Sequence, residues 1–245
     1  MESSFYKTYF QLEKENWWFK ARRNLIFQIF KKYNIGTDKK ILDYGCGSGF
    51  LAGQLQAKGY DVSGVDVSKE AINFGLSRGI KNLSYVGGTL TNYEGSSFDL
   101  ILAMDVIEHI KEDDLAIKEL KRLLKPSGQL VVTVPAYQWM WGVQDEVAHH
   151  FRRYNMRSVS KLVYLNGFYF LKKSYFNTFL FPPVAIVRLV SKWFNKKSRE
   201  SDFEINNRLL NPLLSFIFNM EIKLLRRFNF PFGVSILLIL ERKKV

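Results

Sequence analysis

Ile41-Leu42-Asp43-Tyr44-Gly45-Cys46-Gly47-Ser48-Gly49 decides the fold. An apolar run ends in an acid, and a G-x-G-x-G turn follows. Val62-Ser63-Gly64-Val65-Asp66 repeats the pattern of a short apolar run closed by an acid. Two such strands with a helix between them run parallel, and a nucleotide-type ligand lies over their carboxyl ends. Glycine lets the backbone approach that ligand with no Cβ in the way. Asp66 is placed to accept hydrogen bonds from ribose hydroxyls. A P-loop is excluded, because no Gly-Lys-[Ser/Thr] follows. The dinucleotide fingerprint G-x-G-x-x-G fits poorly, since the third glycine comes one residue early. A tight strand-to-helix turn with no ligand is the plain alternative.

A G-x-G-x-G turn with an acid two residues before its first glycine resembles motif I of class I S-adenosylmethionine (SAM)-dependent methyltransferases, of the type 11 and type 12 kind. The resemblance continues in Phe98-Asp99-Leu100-Ile101-Leu102-Ala103-Met104-Asp105-Val106-Ile107-Glu108-His109. It continues again in the helix Leu115–Leu124, the stop Lys125-Pro126-Ser127-Gly128 and the strand Gln129–Pro135. It implies an α/β fold: a Rossmann-like, mostly parallel seven-stranded sheet with helices on both faces, an antiparallel last strand and a helical insertion before that strand. It implies SAM as cofactor. Asp43 then lies near the methionine amino group and Asp66 holds the ribose. Gly45, Cys46, Gly47, Gly49, Val67, Thr89, Leu90, Asp105 and Val106 complete the expected contacts, with Glu108 a secondary candidate. Where many members carry an acid near the adenine, this chain has Val86-Gly87-Gly88-Thr89-Leu90.

Asn16-Trp17-Trp18-Phe19-Lys20-Ala21-Arg22-Arg23 begins a predicted helix capped by Asn16. Trp18 and Arg22 share one face. The segment resembles the W-W-F-x-x-R stretch that covers the cofactor in these families, where an arginine meets the methionine carboxylate. The bland alternative is a helix whose tryptophans pack on the sheet.

Two of the three histidines follow the fifth strand, in Gln144-Asp145-Glu146-Val147-Ala148-His149-His150-Phe151-Arg152-Arg153-Tyr154. That loop faces the ligand crevice of an α/β sheet. His149 or His150 is a candidate general base, with Asp145 to orient it. The structural alternative pairs Arg152 with Asp145 and buries Tyr154. His149, His150, Asp145 and Glu146 match no zinc spacing, so no metal is expected.

The chain carries a formal charge of +13. Residues 161–245 hold 15 basic and 5 acidic side chains, so the excess belongs to the C-terminal third. That third is also rich in phenylalanine and leucine. Helical spacing recurs in Val184–Phe194 and Leu213–Leu225, predicting two helices between the last two strands. Pro182-Pro183, Arg188 and Glu221 make both poor membrane spans. Lys192, Lys196, Lys197, Arg199, Arg226 and Arg227 suit helices lying at an interface. Residues 1–178 with 230–245 are read as the SAM-binding core, with 1–35 as a helical cover. Residues 179–229 are read as a helical insertion or lid with peripheral membrane contact.

The single cysteine, Cys46, excludes a disulfide framework and reads as a small apolar filler. The N-terminus lacks a signal-peptide pattern. The expectation is a cytoplasmic enzyme, peripheral on the inner face of the membrane, that transfers methyl to oxygen or carbon of a small-molecule or lipid-like acceptor. The runner-up is a nucleic-acid (RNA) methyltransferase. It fits the charge, but Asp105-Val106-Ile107-Glu108 is not the [DN]-P-P-[YF] of amino-group methylases. A non-catalytic SAM-binding or membrane-docking module is the third reading, and a nicotinamide dehydrogenase a distant fourth.

Overall fold

The computed structural model describes residues 10–87, 93–193 and 210–243, with the side chains of 191–193 left aside. Seven strands are β1 (Lys40–Tyr44), β2 (Asp61–Asp66), β3 (Leu83–Tyr85), β4 (Phe98–Met104), β5 (Leu124–Pro135), β6 (Phe168–Phe176) and β7 (Ser235–Arg242). They form one sheet in the order β3-β2-β1-β4-β5-β7-β6. The first five pair in parallel. The last strand lies antiparallel between β5 and β6. Because β1 has β2 on one side and β4 on the other, strand order reverses there. A crevice therefore opens at the carboxyl ends of these strands.

Helices cover both faces. α1 (Trp17–Lys32), α2 (Phe50–Gln56) and α3 (Lys69–Ser77) precede α4 (Asp113–Leu123). α5 (Val143–Val147) and α6 (Met156–Leu165) follow β5, while α7 (Phe181–Trp193) and α8 (Leu210–Leu225) lie between β6 and β7. Alternate strand residues feed two cores. Leu42, Ile101, Leu130 and Leu238 pack with Ile117 and Leu120 of α4 and Val163 of α6. Ile41, Leu100, Val131 and Leu237 face the other way, onto Leu25 and Ile26 of α1, Leu55 of α2 and Phe218 of α8. This is the period-two alternation of a sheet buried on both faces.

Asn16 does cap α1: its side chain accepts from the Trp18 N–H at 2.9 Å. α4 stops at Leu123, but β5 begins at once with Leu124 rather than at Gln129. Leu124 is already extended (φ −72, ψ 139), and Pro126 keeps Lys125 before it out of helical space. The two insertion helices start earlier than the apolar spacing indicated. Pro182 and Pro183 fall in the first turn of α7 and Pro212 in that of α8. There proline starts a helix, because no backbone N–H is required. No helix among the described residues is long and apolar enough to cross a membrane. Lys196, Lys197 and Arg199, and the side chain of Lys192, lie outside the described residues.

Candidate active site

The glycine turn is built by conformation and by close approach. Gly45 and Gly47 have φ of 73° and 56°, the left-handed region that glycine enters without penalty. A Cβ on Gly45 would come within 2.4 Å of Val106, so the turn packs against the residue that follows β4. A Cβ on Gly47 would meet nothing within 4 Å, which leaves open space above the turn. Gly49 is the N-cap of α2. The N–H groups of Gly45 and Cys46 donate to the Val65 carbonyl at 2.8 and 3.0 Å, joining the ends of β1 and β2.

Asp66 ends β2 and is fixed by two backbone donors. Gly47 N–H gives to one carboxylate oxygen and Ser68 N–H to the other, each at 2.8 Å. Each oxygen keeps a lone pair for a further hydroxyl. Val67 beside it is exposed. Asp43, at the end of β1, is buried, and its Oδ2 has no partner among the described residues. Burial pushes its carboxyl up to about 7, against the pull of the Arg22 guanidinium. An ammonium or hydroxyl brought to this oxygen would satisfy it. The buried Cys46 thiol is pushed up by burial, with Asp43 and Asp66 adding to the effect, which makes it inert as a nucleophile. Thr89 and Leu90 lie outside the described residues.

Arg22 reaches the crevice from α1. Its guanidinium meets Asp105 at 2.9 Å and donates to the Met104 carbonyl at 2.9 Å. Asp105 also accepts from Thr133 Oγ1 at 3.0 Å and holds a φ of 54°. Trp18 stacks on Phe176 of β6 and on Phe218 of α8, with centroids 6.1 and 5.4 Å apart. Its ring therefore ties α1 to the sheet and to the insertion. Glu13 was not singled out in the sequence. It accepts from Ser48 Oγ at 2.8 Å, and burial pushes its carboxyl up to about 7. A lone glutamate in the helical turn before Asn16 carries no motif that could have found it.

A second group gathers across the crevice. Asp145 is buried in α5 and accepts from Gly142 N–H, His150 Nδ1 and Arg153 Nε at 2.8, 2.9 and 2.7 Å. Burial raises its carboxyl, but the bonds from His150 and Arg153 outweigh this and bring it to about 2. The arginine on Asp145 is therefore Arg153 and not Arg152. Arg152 pairs with Asp113 at 2.8 Å instead. Tyr154 is buried and donates to Asp113 at 2.7 Å. His149 is exposed, with a φ of 55°. His150 meets His109, their rings edge to face with centroids 4.5 Å apart. Beneath them Glu108 is fully buried, and neither carboxylate oxygen has a hydrogen-bond partner among the described residues. The Phe151 N–H donates to the Glu108 carbonyl at 2.8 Å and sets the register of the two loops.

An anchored acid on β2, an orphaned acid on β1 and a glycine turn with open space above it fit a sulfonium nucleoside amino acid. Residues 42–132 match the family described as a methyltransferase domain. This stretch is similar to a class I SAM-dependent methyltransferase domain. Its relatives include the ubiquinone biosynthesis O-methyltransferase of Paraburkholderia phymatum, 35% identical over 38% of this chain and 42% of that protein. The mitochondrial protein of the same name from Schizosaccharomyces pombe is 31% identical over 46% of this chain and 44% of its own length. The chain thus spans less than half the length of the curated relatives it matches. Among solved structures, a SAM-dependent methyltransferase from Archaeoglobus fulgidus superposes with a TM-score of 0.58, covering 96% of this chain and 99% of that one at 18% identity. Phosphoethanolamine N-methyltransferase 2 of Haemonchus contortus, in complex with SAM, superposes with a TM-score of 0.57 over 90% of this chain and 52% of that one, again at 18% identity. At that identity the likeness concerns the fold of the methyltransferase domain.

Proposed function

We propose that this chain is an O-methyltransferase whose acceptor is a hydroxyl-bearing, lipid-like molecule met at a membrane surface. SAM supplies an activated methyl group, the bond from sulfur to carbon breaking as the bond from the acceptor oxygen forms. Asp66 holds the ribose. Asp43 and Arg22 hold the methionine end, and the Gly45–Gly49 turn with Val106 shapes the floor. Such an in-line displacement needs alignment and exclusion of water more than a compact catalytic motif. It also needs the acceptor hydroxyl to lose its proton. His150, oriented by Asp145, promotes that loss.

The observation that carries the reading is the Asp145–His150 pair, bonded at 2.9 Å after β5, which leaves the sheet at the same carboxyl edge as the glycine turn after β1. The O-methyltransferase relatives support the atom methylated, and their printed role in ubiquinone biosynthesis favours a hydrophobic acceptor. The exposed apolar side chains of α7 and α8 support contact with lipid. Ile186, Val187, Leu189, Leu213 and Phe216 each leave more than half of their surface in solvent. Apolar area of this kind beside basic residues suits the interface of an anionic bilayer. The protein then works peripherally on the cytoplasmic face.

The test is incubation with methyl-labelled SAM and a lysate that retains its membranes, followed by extraction into organic solvent. Label in the organic phase, lost with Asp66→Ala, is the expected result. Label confined to the aqueous phase would overturn the lipid-like acceptor, and nuclease sensitivity of that label would point to RNA.

A further inference from the structure

We propose that Glu108, His109 and His150 form a binding site for a divalent transition-metal ion of the zinc type. The proposal deepens the reading above, because the site adjoins the crevice in which that reading places the acceptor.

Each ligand is prepared in a way that suits a cation. The ligand atoms of the three side chains lie within 4.8 Å of one another. Metal bonds of about 2.0–2.2 Å require separations of roughly 3–3.5 Å, so the set closes further when an ion binds. His150 Nδ1 is committed to Asp145 at 2.9 Å, which leaves Nε2 as the ring nitrogen without that bond. A carboxylate behind a histidine in this way fixes the tautomer of a metal ligand and raises its basicity. His109 stands edge to face against His150, their centroids 4.5 Å apart, so the second imidazole is already beside the first. Glu108 is the third ligand. A fully buried carboxylate with two unsatisfied oxygens is costly, and a cation at this point compensates both its charge and its missing bonds.

The burial gradient supplies a route of entry. Glu108 is buried, His150 is nearly so, and His109 is exposed, so the ion arrives past His109 and settles on Glu108. Two imidazoles and one carboxylate leave a coordination position open, as in catalytic rather than structural zinc sites. An acceptor hydroxyl taking that position would lose its proton to solvent at neutral pH. His150 then promotes deprotonation through the ion it holds. The spacing of His149, His150, Asp145 and Glu146 did not suggest such a site, because two of its ligands lie in the other loop, after β4.

The experiment uses the full chain, stripped with chelator and titrated with Zn²⁺ by calorimetry and with Co²⁺ by visible absorption. SAM binding is measured in parallel. One equivalent should bind, with a Co²⁺ band typical of nitrogen and oxygen ligands at low coordination number. His109→Ala and Glu108→Gln should each weaken binding by more than about tenfold, and Asp145→Asn by roughly 10–100-fold. His149→Ala should leave it unchanged. His109 is exposed, so its variant folds whatever Glu108→Gln does, and SAM affinity reports on that fold. Absence of a bound equivalent, or His109→Ala binding as the wild type does, would overturn the site. Zn²⁺ binding without SAM binding would overturn the methyltransferase reading and leave the site standing.

Discussion

Gly47 and Asp66 act together: the N–H of the first fixes the carboxylate of the second, and the missing Cβ of the first leaves the space above it open. Asp66→Ala removes two acceptor oxygens that serve ribose hydroxyls. Hydrogen bonds to a charged group contribute about 1.5–3 kcal/mol each, so SAM affinity should fall by more than tenfold in a calorimetric titration. Gly47→Ala should cost roughly 1 kcal/mol of stability for its left-handed φ and a further loss of SAM affinity, because the new methyl enters the open space. Glu13 gives a pH prediction with a definite sign. Its carboxyl is raised from 4.5 to about 7 in the fold, so the stability it contributes is full below pH 4.5 and is lost as pH rises through 7. Glu13→Gln keeps an acceptor for Ser48 without the charge. Thermal melts should show the variant gaining on the wild type between pH 5 and pH 8, and parallel profiles would contradict the buried carboxyl.

At the scale of elements, α8 is held by contacts that its apolar spacing does not announce. Glu221 looks like a flaw in a hydrophobic helix. In the fold it is buried and accepts from the N–H groups of Thr178 and Phe179 at 2.7 and 2.9 Å, closing the turn that leads from β6 into α7. Glu221→Ala leaves two backbone donors without that acceptor and should cost about 1–3 kcal/mol, read as a lower midpoint in urea with an unchanged slope. Strands, caps and the glycine turn were legible because each is a local pattern: apolar runs of period two, an asparagine before a helical stripe, glycines at fixed offsets. The same holds for Asp43 and Asp66, whose positions at strand ends follow from their neighbours in the chain. Partners drawn from distant segments were not legible. Arg153 rather than Arg152 meets Asp145, and His109 meets His150, only because the backbones after β4 and β5 are locked by the Phe151–Glu108 bond. The prolines of α7 and α8 were legible as helix breakers but act as helix starts, a distinction that turns on position within the first turn.

For the molecule as a whole, the uneven charge and the exposed apolar faces of α7 and α8 predict selective adhesion. The chain should sediment with anionic vesicles and not with neutral ones. Phe216→Asp and Ile186→Asp, both at exposed positions, should abolish sedimentation without changing the melting temperature. Added salt should weaken the adhesion only in part, since apolar burial is not screened. The placing of β7 has its own consequence for biosynthesis. This strand lies between β5 and β6, although the chain makes it long after either. Until Ser235–Arg242 has emerged from the ribosome, β5 presents an open ladder of hydrogen-bonding groups and β6 has no strand to join. Vectorial synthesis therefore leaves a sticky intermediate from the completion of β5 until β7 is made, and any nascent fragment ending between Pro135 and Ser235 is a natural client for chaperones.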